Sequence, residues 1–119
     1  MTAEYVVANV EDVPEGSHIV VKVGGREIGV FNVKGQYYAL ANACFHQNGP
    51  LCRGAVSGTL VSGPETGWKR VWALEGEIVV CPWHSLEFNI ANGKCLAYPN
   101  RHVPTYEVKV DGQQVKVIL

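Results

Sequence analysis

An all-β, antiparallel fold is what this sequence predicts, and three observations predict it. Apolar and polar residues alternate with period two over long runs near both ends. β-branched residues crowd those runs, and glycine-containing pairs punctuate them. No helical period lasts longer than about two turns. Taken in order, His18 to Val23 (HIVVKV) reads as a strand, Gly24-Gly25 as a turn, and Arg26 to Val33 (REIGVFNV) as the next strand. Lys34-Gly35 is a second turn, followed by Gln36 to Ala41 (QYYALA). The end repeats the pattern: Thr105 to Val110 (TYEVKV), the hairpin turn Asp111-Gly112, then Gln113 to Ile118 (QQVKVI). Short strands with glycine turns suggest a sandwich or small barrel.

The middle of the chain, about 42–104, differs. Two loop-like stretches, CFHQNGPLCRG and CPWHSLEFNIANGKC, hold all four cysteines and two of the four histidines. Between them run three candidate strands, Val56 to Ser62, Trp68 to Leu74 and Glu77 to Val80, with a tight turn at Glu75-Gly76. The expected organisation is therefore one domain over residues 1–119, in which an outer antiparallel sandwich carries an inserted β subdomain. Outer strands on both sides of the insert argue for one folding unit, and 119 residues suffice for one core.

Bulk charge excludes several function classes. The formal net charge is −1, which gives no general attraction for nucleic acid or anionic lipid. No apolar run approaches the length needed to span a bilayer. The opening residues, MTAEYVVANVEDVPEG, carry acids rather than a basic region followed by an apolar one. A reducing cytoplasm is the expected compartment, and there thiols are ligands or plain buried groups more often than disulfides.

The chemistry concentrates in two short motifs, Cys44-x-His46 and Cys81-x-x-His84. Either alone reads as half of a zinc site, a thiol beside a base, or a coincidence of core residues. Together, each supplying one thiolate and one imidazole, they resemble the Rieske iron–sulfur family, whose pattern is C-x-H, a spacer, then C-x-x-H. The likeness extends to the flanks. CFHQNGPLCRG resembles the family's first loop, with its glycine and GPL. CPWHSLEFNIANGKC resembles its second, including the phenylalanine and the closing turn Asn92-Gly93, and YPNRHVP falls where the family has a proline-containing loop. The resemblance covers essentially the whole chain. It implies an all-β Rieske-like antiparallel sandwich with a cluster-binding subdomain, and one 2Fe-2S cluster per chain. It implies ligation by Cys44 and Cys81 on the inner iron and by His46 and His84 on the outer one, nearer solvent.

The residue types suit that chemistry. Replacing two thiolates by neutral imidazoles leaves the centre less negative, so an electron is added more easily than at a four-cysteine centre. Tight turns bring backbone N–H groups near sulfur, where they offset the charge that arrives on reduction. Phe45, Trp83 and Phe88 are bulky apolar groups that serve as subdomain core, as a barrier to water, or both. Rieske centres span roughly −150 to +300 mV. High-potential members resemble a pattern with a serine two residues and a tyrosine four residues after the second histidine, and with an extra cysteine in each loop. Here those positions are Leu86, Phe88, Gly49 and Trp83. None can supply the hydroxyl or the disulfide, so a low-potential centre is expected.

Several features depart from the family. His46 and Cys81 are separated by 34 residues, about twice the usual spacer. The excess, around Thr59 to Glu75, carries Trp68 and Trp72, and reads as a lengthened hairpin completing the subdomain's core or as a docking or dimer surface. Ser85 stands where a glycine is common. Cys52 and Cys95 are extra, either as free thiols or as a disulfide with each other. His18 is expected at a strand end on the surface. His102 reads as a surface residue or a contact to an electron partner. Arg53, Lys94 and Arg101 read as solvated charges or as a rim for an acidic partner.

A fully ligated cluster leaves no open site for substrate, and no nucleophile elbow or phosphate loop is present. The expected function is that of an electron carrier rather than an enzyme. The resemblance implies the ferredoxin of a ring-hydroxylating or related oxygenase system, with a reductase as donor and an oxygenase as acceptor. Two alternatives remain open: a Rieske-like small subunit of a nitrite-reductase-like oxidoreductase, and a structural Cys2His2 zinc module.

Overall fold

The computed structural model describes residues 3–43, 50–83 and 85–119. Among the described residues, nine strands lie in two antiparallel sheets. β1 (Glu4–Asn9), β2 (His18–Val23), β3 (Arg26–Val33), β4 (Gln36–Ala41), β8 (Thr105–Asp111) and β9 (Gln114–Ile118) form a six-stranded sheet in the order β1-β9-β8-β4-β3-β2. β5 (Val56–Val61), β6 (Val71–Val80) and β7 (Glu87–Asn89) form a three-stranded sheet in that order. This is the all-β antiparallel fold the sequence predicts. β2, β3 and β4 have the expected bounds, because alternation and turn chemistry agree there. Gly24 and Gly25, at φ of 56° and 79°, supply the left-handed backbone that a two-residue hairpin turn requires.

The large sheet closes over itself. β4 and β8 join its halves through only two residue pairs, Ala39 with Tyr106 and Leu40 with Thr105. The halves then pack face to face, with Ile28, Val30 and Ala39 of one against Val115 and Val117 of the other. β3 is the shared wall of two cores. Its period-two alternation sends Ile28 and Val30 to this first core and Phe31 to a second, which holds Leu40, Leu51, Val79, Phe88, Ile90 and Val103. The second core fixes the small sheet against the large one. Burying Phe31 and Phe88, each fully covered, contributes about 2–3 kcal/mol apiece.

Three elements differ from expectation. β1 is a strand, although its residues read only as an acidic opening; pairing with β9, from Glu4 with Ile118 to Asn9 with Gln114, creates it. β7 lies inside a stretch that reads as loop, and is held by β6 through Ile78 with Asn89 and Val80 with Glu87. The turn expected at Glu75-Gly76 between two strands is instead a bulge within one strand, β6. Both halves of β6 pair with β5, Val56 with Val79 on one side and Val61 with Val71 on the other, so no hairpin forms between them. Residues 74–77 stand opposite the single Gly58, and Leu74 and Gly76 take positive φ of 58° and 80°. Thr59 Oγ1 donates to Glu87 Oε1 at 3.0 Å, so the outer half of this arm turns back toward β7.

Candidate metal centre

β6 delivers Cys81. Val80 ends the strand, and the next residue is fully buried at the head of a closed turn. Cys81 N–H donates to the Leu86 carbonyl at 2.8 Å, and Ser85 N–H donates to the Cys81 carbonyl at 2.9 Å. This pair of bonds closes the turn that begins at Cys81. Ser85 takes φ of 56°, the left-handed conformation for which the family's glycine is suited. Leu86 is half-buried against the second core and Phe88 is fully buried in it. Of the readings for Trp83, the subdomain-core one is corrected: the side chain is 56% exposed. Pro82 beside it is exposed as well, so the turn faces solvent on that side.

The rest of the second loop is tied back on itself. Gly93 N–H donates to the Asn89 carbonyl at 2.7 Å, and Lys94 N–H to Asn92 Oδ1 at 2.9 Å, making the expected turn at Asn92-Gly93. A Cβ at Gly93 would meet the Val103 carbonyl oxygen at 2.7 Å, so glycine lets the proline-containing loop approach. That loop is stitched to the second one by Cys95 N–H to the Arg101 carbonyl and Val103 N–H to the Gly93 carbonyl, both 3.0 Å. His102 and Lys94 are exposed. Arg53 forms a solvated ion pair with Glu27 at 3.8 Å.

Cys44, His46 and His84, with Phe45 and Gly49, lie outside the described residues, so of the four expected ligands the structure places Cys81. Among the described residues no group of three or more His, Cys, Asp or Glu is arranged to hold a metal. Cys81 fits a ligand role, since its thiol is buried, free of any disulfide, and presented by a hydrogen-bonded turn. Cys52 and Cys95 are free buried thiols. Burial pushes the Cys52 thiol up to about 12, so it is not a thiolate at neutral pH. Its Sγ lies 3.6 Å from the carbonyl oxygens of Leu40 and Ala41.

Two further readings change. His18 is not a plain surface residue: it is half-buried and stacks on Phe31 with ring centroids 4.8 Å apart and planes 12° apart. Burial lowers its pKa, against a smaller upward effect of a hydrogen bond to the Cys52 backbone. Trp68 and Trp72 do not complete a core, being 72% and 55% exposed on the arm. Sequence reasoning missed Asn42. This polar residue is 9% exposed, and its Oδ1 accepts from Cys52 N–H at 2.7 Å. Its place just before the first motif was the only signal.

The family model for the Rieske [2Fe-2S] domain matches residues 3–107. The ferredoxin component of naphthalene 1,2-dioxygenase/salicylate 5-hydroxylase systems from Ralstonia sp is 32% identical over 117 residues, 97% of this chain and 95% of that one. The ferredoxin of carbazole 1,9a-dioxygenase from Nocardioides aromaticivorans IC177 superposes with a TM-score of 0.71 at 26% identity, over 96% of this chain and 95% of that one. A putative nitrite reductase NADPH small subunit superposes with a TM-score of 0.70 over 97% of both chains; at 19% identity it shows the shared fold.

Proposed function

Since the chain belongs to the Rieske [2Fe-2S] domain family, we propose that it is the ferredoxin of a ring-hydroxylating or related oxygenase system, taking electrons from a reductase and passing them to an oxygenase. It is an electron carrier with a Rieske-type 2Fe-2S cluster, a component of a multi-protein system rather than an enzyme in itself. The cluster supplies a one-electron redox centre. The observation that carries the oxygenase reading is likeness over 97% of the chain to a dioxygenase ferredoxin component.

In this reading Cys44 and Cys81 hold the inner iron and His46 and His84 the outer one. The buried, disulfide-free thiol of Cys81 supports it. Residues 42–104 form the cluster-binding subdomain of one domain, supported by the separate three-stranded sheet. No helix among the described residues is long and apolar enough to cross a membrane.

The test begins with the purified protein, which should hold two irons and two acid-labile sulfides per chain and show an average g below two when reduced. Alanine at Cys44, His46, Cys81 or His84 should each abolish that signal. Electron transfer is then measured with candidate reductase and oxygenase pairs. Stable co-purification with a nitrite reductase large subunit, and no turnover with any oxygenase, would overturn the oxygenase assignment.

Leu86 and Phe88 offer no hydroxyl to the cluster, so a low midpoint potential follows. Leu86→Ser should raise it in a redox titration, because Leu86 is only half-buried and its carbonyl accepts from Cys81 N–H. A wild-type midpoint well above zero, or no rise in the variant, would show that these positions do not set the potential.

A further inference from the structure

Asn42 follows β4 and precedes Cys44 by two residues. Its backbone N–H donates to the Glu27 carbonyl at 2.9 Å, which fixes it to the start of β3. Its side-chain Oδ1 accepts from Cys52 N–H at 2.7 Å. That bond ties the end of β4 directly to the 3-10 turn Leu51–Arg53.

The turn is a wedge between the two sheets. On one side Cys52 lies against Gly29 of β3 so closely that a Cβ on Gly29 would collide with the Cys52 side chain. On the other, Gly54 lies so close to the Val80 carbonyl that no side chain fits. Val80 leads straight into Cys81. Whatever sets the position of Cys52 therefore sets the position of Cys81 relative to the end of β4.

We propose that Asn42 is a positioning residue for the cluster: by holding Cys52 it fixes the separation between the end of β4 and Cys81. The proposal rests on the assignment of Cys44, His46, Cys81 and His84 given above. The Cys52 amide belongs to a fully buried residue, so without the Asn42 oxygen it loses its acceptor. Asn42 also borders a surface groove lined by Lys22, Arg26 and Glu27, so charges of both signs lie near it.

The experiment compares the full-length holoprotein with Asn42→Leu, which keeps bulk but no acceptor, and with Asn42→Asp, which keeps the acceptor. Cluster half-life under a chelator, g values of the reduced state, midpoint potential and amide exchange at Cys52 are measured. Asn42→Leu should expose the Cys52 amide, shorten the half-life about tenfold and shift the g values or the potential. Asn42→Asp should restore all of these. Wild-type half-life, g values and potential in Asn42→Leu would overturn the proposal, as would equal damage in Asn42→Asp. If Asn42→Leu does not fold, Asn42→Thr, whose oxygen sits one bond short, takes its place against Asn42→Asp. Cys44→Ala and His46→Ala serve as controls. Retention of the cluster in either would overturn the ligand assignment, while the Cys52 amide still reads the Asn42 bond directly.

Discussion

Ser85 shows how one residue departs from its family without breaking the site. Its φ of 56° is a conformation a side chain disfavours, yet its N–H to the Cys81 carbonyl closes the turn that presents Cys81. Ser85→Gly removes that strain at some cost in unfolded-state entropy, so it should stabilise the protein by about 0.5–1 kcal/mol with the cluster spectrum unchanged. Thermal unfolding of the two holoproteins checks this, and a destabilised variant would show that the serine side chain contributes more than its backbone costs. Cys52 makes a related point. A thiol pushed up to about 12 by burial is inert at neutral pH, so its importance lies in its backbone and its packing, not in its sulfur chemistry.

At the scale of elements, the lengthened spacer and the wedge behave oppositely. The outer half of the β5–β6 arm presents Leu60, Trp68 and Trp72 at 55%, 72% and 55% exposure. Trp68→Ser should therefore change stability by no more than about 0.5 kcal/mol. Gly54→Ala, by contrast, places a methyl group against the Val80 carbonyl and should cost about 3 kcal/mol or more, since strand and wedge must separate to admit it. Chemical denaturation of both variants separates the cases. A large loss in Trp68→Ser would mean the arm packs more tightly than its exposure indicates, and a small one in Gly54→Ala that the seam yields.

For the molecule as a whole, two cores share β3, and His18 sits where they are coupled, stacked on Phe31 and bonded to the Cys52 backbone. Burial lowers its folded pKa below 6.5. Above pH 6.5 both folded and unfolded states hold it neutral. As pH falls through 6.5 the unfolded chain takes up the proton first, so stability declines until the lowered folded pKa is passed. Wild type should thus lose more stability between pH 7.5 and pH 5 than His18→Gln does, by melting temperature at each pH. Equal losses would show that His18 titrates as it does in the unfolded chain. The radius of gyration, 14.8 Å, exceeds the about 13.5 Å expected for this length, so the molecule is somewhat elongated, with extents of 46 × 31 × 24 Å.

The sequence by itself determined the all-β class, the bounds of β2, β3 and β4, and the family, because alternation, turn glycines and paired motifs are local and survive being read one segment at a time. It also set the chemistry expected of the centre, since residue types such as Leu86 and Phe88 are visible without coordinates. Tertiary structure alone decided the rest. β1 and β7 exist because a partner strand captures them, and β6 runs unbroken through Glu75-Gly76 because β5 pairs with both its halves. Trp83, Trp68 and Trp72 face outward, whereas His18 and Asn42 turn in, since burial depends on which surfaces meet and not on side-chain type. The contact between Asn42 and Cys52 joins residues ten apart through the closeness of two sheets, and no periodicity in the chain encodes that distance.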